Sequence, residues 1–343
     1  MAQKRGFMQT LLKNTQAYRL LKKESEEGKL GHAYLLLLSD TRNLRAALKT
    51  FVKLFFEPDC QDSAAFTRVC NLIDEENFSD CLFFPSEDKK LTVEEAVKIQ
   101  EESTLNPVEA KKKVFVLGDF ADANVQTQNK LLKLLEEPPE NVVFLLGATT
   151  VFPLLPTVLS RVKKLEIQPF SMEEVAAVLR RTYNDCFDEN TISLCAAASS
   201  GSVGEAQTII EGGHYKALAE NAFALALTPE SRLPLLIKQI GETKQQKELL
   251  TLLRILFRDA LLWKTSKKAQ NPSAISAIFR ENLLLKSEAE NIAKTADFYS
   301  LNALLYAQEA LSEAEKQVKF NAVFPQCLEL CIANIRAKNK QDL

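Results

Sequence analysis

The sequence predicts an α/β domain with a mainly parallel sheet, followed by regions that are wholly helical. Three observations predict it. Up to Phe170, apolar runs that lack the alternation of a half-exposed strand recur, with amphipathic stretches at helical spacing between them. After Phe170 the strand patterns stop. A chain of 343 residues also exceeds the usual size of a single domain, so two or three cores are expected.

Taken in order, Phe7 to Glu27 has helical spacing with an exposed charged face, and Gly28 and Gly31 interrupt it. The run Ala33 to Leu38 reads as a strand buried on both faces. Further strands are expected at Cys81 to Phe84, Lys113 to Leu117, Val142 to Leu146 and Lys164 to Ile167. Helices are expected between them at Leu44 to Phe56, Thr92 to Thr104 and Val125 to Glu137. In the last, Val125, Leu131, Leu132, Leu134 and Leu135 form the apolar side, and Pro138 and Pro139 cannot donate the next backbone bonds. From Met172 onward, helices are broken at Gly201, Gly212 and Gly213, Pro229, Gly241 and Pro272. The boundaries read as an α/β domain over 1–169, a short helical unit over 170–212 and a longer helical domain over 213–343.

Composition excludes several classes. With 43 Lys and Arg against 45 Asp and Glu, the formal charge of -2 gives no global attraction to nucleic acid or to an anionic membrane. Seven scattered cysteines, an odd number, argue against a disulfide framework and for a reducing compartment. No apolar run reaches the length of a membrane span, and the N-terminus turns amphipathic without the apolar core of a secretory signal. A cytoplasmic protein with no membrane partner is expected.

Three segments carry a resemblance: GKLGHAYLLLL (Gly28 to Leu38), VQTQNKLLKLLEEPPENVVFLLGATT (Val125 to Thr150) and LLPTVLSRV (Leu154 to Val162). On them, with weaker similarity at SSGSVGEAQTII (Ser199 to Ile210), the chain resembles the AAA+ clamp-loader subunits of bacterial DNA polymerase III, and among these the delta-prime branch. The likeness covers the sequence to about Ile210. It implies an AAA+ α/β domain with mainly parallel sheet, a small helical lid and an all-α C-terminal collar that joins an oligomeric ring.

The nucleotide motifs of that family are altered here. A phosphate loop needs glycines whose N–H groups converge on phosphate, a lysine, and a Ser or Thr for the metal. There is no glycine between His32 and Lys113, and Leu44 and Arg45 align where the family has lysine and threonine. Asp40 would add a carboxylate beside the phosphates. After the strand VFVL, Gly118 and Asp119 replace an aspartate and glutamate that would hold magnesium and orient water. The arginine expected after Gly201 is absent, with Gly204 near its place. Thr149, at the family's sensor position, is expected to make a structural hydrogen bond.

Arg161 ends the apolar segment PLLPTVLS, and Val162 departs from the family's cysteine. The resemblance implies that this arginine is a finger acting in trans on the nucleotide of a neighbouring subunit. The plainer reading is that it complements the negative end of its own helix, worth about 0.3–1 kcal/mol. Ser160 is expected to cap or pack.

The other candidates read as structural. Cys60 and Cys70 align with two ligands of the family's zinc module, but two thiolates cannot complete a tetrahedral shell, so no metal is expected. Arg45, Lys49 and Lys53 recur at four-residue spacing as a solvated basic face, with DNA contact as the alternative. His32 is expected to pack at the sheet edge, and with His214 as the one other histidine in the sequence no histidine-based catalytic or metal cluster is expected. Cys327 and Cys331 read as core, and Lys247 to Trp263 as a bundle helix rather than a membrane-surface one.

The resulting expectation is a stator-like subunit without intrinsic ATPase activity and without a cofactor, within a polymerase holoenzyme. Its partners would be gamma/tau-type ATP-hydrolysing subunits and a delta subunit, with the sliding clamp and primer-template DNA reached through the complex. The alternatives are an autonomous AAA+ ATPase with an atypical site, and a DNA-binding adaptor.

Overall fold

A computed structural model of the chain describes residues 2–85, 90–183, 186–213, 215–243, 245–267, 283–285 and 288–342. His214 and Pro272 lie outside them. The chain forms two compact units, Met1–Pro169 and Phe170–Leu343.

The first unit contains α1 (Ala2–Lys13), α2 (Gln16–Glu26), β1 (Ala33–Leu37), α3 (Thr41–Phe56), α4 (Ser63–Asp74), β2 (Cys81–Phe84), α5 (Val93–Ser103), β3 (Lys113–Asp119), α6 (Val125–Glu136), β4 (Val142–Ala148), α7 (Pro156–Leu159) and β5 (Lys163–Glu166). All strand pairings are parallel, in the order β2-β3-β4-β1-β5. Where one helix was expected over Phe7 to Glu27, there are two. The Thr15 hydroxyl accepts from the Tyr18 N–H and starts α2, a cap that the apolar spacing alone hides. The helix α4 was not anticipated; the Asp62 carboxylate caps it through the Ala65 N–H.

Right-handed crossovers put helices on both faces of such a sheet, because the chain leaves β1 in one direction and returns through β3 and β4 in the other. On one face Leu35, Phe115, Leu117, Phe144 and Leu146 pack with Ile99 of α5, Leu131 and Leu135 of α6 and Val158 of α7. On the other, α3 covers β3 and β4, and α1, α2 and α4 pack on α3. Tyr34 of β1 meets Phe55 of α3 edge-on, with ring centroids 5.6 Å apart. Burial of β1 on both faces explains why its residues run apolar without alternation. The ends of β1 and β4, whose onward connections leave in opposite directions, define the switch point where open α/β sheets usually hold ligands.

The second unit is wholly helical over its described residues: α8 (Met172–Tyr183), α9 (Glu189–Ala198), α10 (Val203–Gly212), α11 (Tyr215–Leu227), α12 (Leu233–Ile240), α13 (Gln246–Lys267), α14 (Ala289–Phe298), α15 (Leu301–Lys319) and α16 (Phe324–Gln341). Gly213 ends α10 in the left-handed conformation, φ 67°. Helix α13 is the hub, packed against α9, α11, α14 and α15 through Leu249, Leu253, Leu256, Phe257 and Ala260. Among the described residues, no helix is long and apolar enough to cross a membrane.

Candidate functional site

The turn after β1 is closed by its own carboxylate. Asp40 is buried at the N-cap of α3, where it accepts from the Asn43 backbone N–H at 3.1 Å and the Asn43 side-chain amide at 2.8 Å. Helix N-termini attract anions because their first N–H groups lack partners. Here a fixed negative charge already occupies that position.

Leu44 points into the core. Its Cδ1 would lie 3.3 Å from a Cβ on Gly147, and that of Leu48 only 2.8 Å from it, so the bare backbone of β4 lets α3 sit against the sheet. Arg45 turns the other way. Its Nε and Nη2 fork onto Glu76 at 2.7 and 2.5 Å, Nη1 donates to the Pro85 carbonyl at 3.0 Å, and the guanidinium lies over the Phe83 ring. Lys49 pairs with Glu76 at 2.7 Å, and Lys53 with Asp74 at 2.7 Å. The basic stripe is therefore not a solvated face. It is a half-buried network that ties α3 to the end of α4 and to β2, and its charges are largely matched. Burial raises the Glu76 carboxyl, but Arg45 and Lys49 outweigh that effect and hold it below its ordinary value.

At the ends of β3 and β4, Gly118 falls where the register shifts, and Asp119 pairs with Gly147. The Asp119 carboxylate accepts from the Thr149 hydroxyl at 2.8 Å and the Thr149 N–H at 3.3 Å. Thr149 thus makes a structural bond, and with the Ala121 N–H, 3.3 Å away, the Asp119 carboxylate accepts three hydrogen bonds from within the chain. Leu44, Gly118, Asp119 and Thr149 all gather at the strand-end edge of the sheet.

Arg161 lies at the opposite edge. Helix α6 runs back from the strand ends, so its last residue, Glu136, reaches the edge where strands begin, and Arg161 lies two residues before β5. Gln128 fixes the approach to α7: its amide donates to the Ala123 and Pro153 carbonyls and accepts from the Leu155 N–H at 2.9 Å. Arg161 donates through Nη1 to the Thr157 carbonyl at 2.9 Å and to the Ser160 hydroxyl at 3.3 Å, and through Nη2 to Glu136 at 2.9 Å. The bonds to Thr157 and Ser160 complement the end of α7, as the plainer reading of the sequence expects. The Glu136 partnership, 25 residues away in the chain, carries no local sequence signal beyond its place in LLEEPP.

The remaining candidates are structural in these surroundings. The Cys60 thiol lies 3.4 Å from the Phe56 carbonyl, and burial together with Asp59, Asp62, Glu109 and Glu57 pushes it up; burial likewise raises Cys70. Both shifts disfavour the thiolate that a metal needs. Among the described residues no group of three or more His, Cys, Asp or Glu is arranged to hold a metal ion. The His32 ring meets the Leu135 carbonyl at 3.1 Å. Cys331 is buried on α16, and Gly204 is buried in α10.

A family model described as DNA polymerase III, delta subunit, matches residues 13–171. A DNA polymerase III subunit gamma from Buchnera aphidicola subsp. Schizaphis graminum is 25% identical over 250 residues, covering 69% of this chain and 68% of that one. A DNA polymerase III subunit delta' from Bacillus subtilis is 27% identical over 158 residues, covering 46% of this chain and 48% of the relative. A crystal structure of a gamma subunit-related protein from Thermotoga maritima aligns over 94% of this chain and 99% of its own, with 17% identity and a TM-score of 0.40. The chain spans about half the length of the delta' relative.

Proposed function

We propose, from the premise that the chain belongs to the AAA+ clamp-loader family of DNA polymerase III, that it is a delta-prime-like stator. It binds no nucleotide of its own, joins the loader ring through a helical collar over 213–343 with a small lid over 170–212, and lends Arg161 to the ATP site of a neighbouring subunit. Through that complex it helps place the sliding clamp on primed DNA.

The supporting observation is the contrast between the two edges of one sheet. At the strand ends, a carboxylate caps α3, Leu44 is buried where the family's lysine would lie, and Asp119 is engaged by Thr149, an arrangement that argues against a seat for nucleotide phosphates and their metal. At the strand starts, Arg161 lies at the rim, across the sheet from that corner. A phosphate that meets it belongs to another chain. Such a finger is worth about 10³–10⁵ in rate at the site it serves.

Calorimetry with magnesium and ATP tests the first half of the proposal. The isolated chain should give no binding heat. Tight binding would favour an autonomous ATPase and sink the stator reading. Salt-sensitive affinity of the isolated chain for primed DNA would favour the adaptor instead.

A further inference from the structure

Arg161 is not free at the rim of its domain. Its Nη2 is held by Glu136 at 2.9 Å and its Nη1 by Thr157 and Ser160, while its Nε is buried and has no hydrogen-bond partner. Glu136 closes α6 and Arg161 follows α7, and the two helices pack together, so the pair clasps one helix end to the other. A guanidinium engaged in this way cannot present its fork to a phosphate until these bonds break. The side chains are 28% and 56% exposed, which puts the ion pair among the weak, breakable kind.

We propose that Glu136 is a latch that withholds Arg161 in the free subunit and releases it when the phosphate of a neighbour's nucleotide competes for the guanidinium. The inference rests on the finger reading of Arg161. Terminal phosphate carries more negative charge than one carboxylate, and the exchange gives the buried Nε its first acceptor. The device keeps a reactive cation neutralised until the ring is assembled and loaded.

Two measurements test the latch separately from the finger. In the isolated full chain, the rate of phenylglyoxal modification at Arg161, followed by peptide mass spectrometry, reports guanidinium release directly. Loss of a weak ion pair predicts that Glu136→Gln accelerates modification by about two- to fivefold at low salt. Glu136→Lys should accelerate it further, and Glu136→Asp should stay near the native rate. The differences should fade near 1 M salt, where screening acts over about 3 Å. Equal rates in all variants overturn the latch, whatever Arg161 does in the complex.

In a reconstituted loader, Glu136→Gln should raise DNA-stimulated ATP turnover by about the same two- to fivefold, and should have no effect when combined with Arg161→Ala. Slower turnover in Glu136→Gln would mean that Glu136 orients rather than withholds the arginine, and would overturn the proposal. Native turnover in Arg161→Ala would instead overturn the finger reading, while the modification rates would still report the clasp.

Discussion

The Thr149 hydroxyl donates a 2.8 Å hydrogen bond to the Asp119 carboxylate, joining the end of β4 to the end of β3. In this chain the bond holds two strand ends together. Thr149→Val should cost about 1–3 kcal/mol, the usual range for losing a hydrogen bond to a charged group. Urea unfolding monitored by circular dichroism checks it. A loss below about 0.3 kcal/mol would show that water replaces the hydroxyl without penalty.

Gly147 governs how close α3 lies to the sheet. An added Cβ would sit 2.8 Å from Leu48 Cδ1 and 3.2 Å from the Gly118 carbonyl oxygen. Gly147→Ala should destabilise by about 1–3 kcal/mol through overpacking. Shortening Leu48 to Ala in the same chain should make the glycine substitution less costly than it is alone, a coupling that a double-mutant cycle measures.

Acid sensitivity should follow Glu76. Its carboxyl is held below the ordinary value, with burial opposing Arg45 and Lys49. A carboxyl depressed on folding contributes stability that is complete above its unfolded value, about 4.3, and is lost as pH falls through the folded value. Lys49→Met removes one of the stabilising charges. Its deficit against the native chain should be largest near about pH 6 and shrink toward about pH 2.5 in urea melts. A deficit that is the same at every pH contradicts this assignment.

Thiol reactivity should divide by burial. Cys195 and Cys331 are each pushed up to about 12, in both cases chiefly by burial, whereas Cys186 is exposed. Iodoacetamide near pH 8 should label Cys186 in the folded chain and reach Cys195 and Cys331 only on unfolding. Labelling of Cys331 at the rate of Cys186 would contradict the packing of α16.

Much of the first unit was legible because strand burial on both faces leaves an unbroken apolar signature. β4, buried along its whole length, is the clearest case, and β3 and β4 run only two residues past their expected ends at Leu117 and Leu146; the edge strand Cys81–Phe84 matches its expected bounds although its last three residues are half-buried. The breaks at Thr15 and Asp62 were missed because a single capping side chain, not periodicity, sets them. The basic stripe was misread for a different reason. Its partners, Asp74 and Glu76, lie more than 20 residues away in the chain and meet it only when α4 folds back on α3. The Glu136–Arg161 pair was equally invisible: Arg161 stands out on its motif, but Glu136 does not until α6 and α7 are packed.

The most direct test of the account replaces Arg161 by Ala in a reconstituted clamp loader and measures ATP turnover stimulated by clamp and primed DNA, with gel filtration to verify assembly. The account predicts an intact complex in which hydrolysis at the neighbouring site falls by about 10³-fold or more. An assembled complex that turns over ATP at the native rate would contradict it.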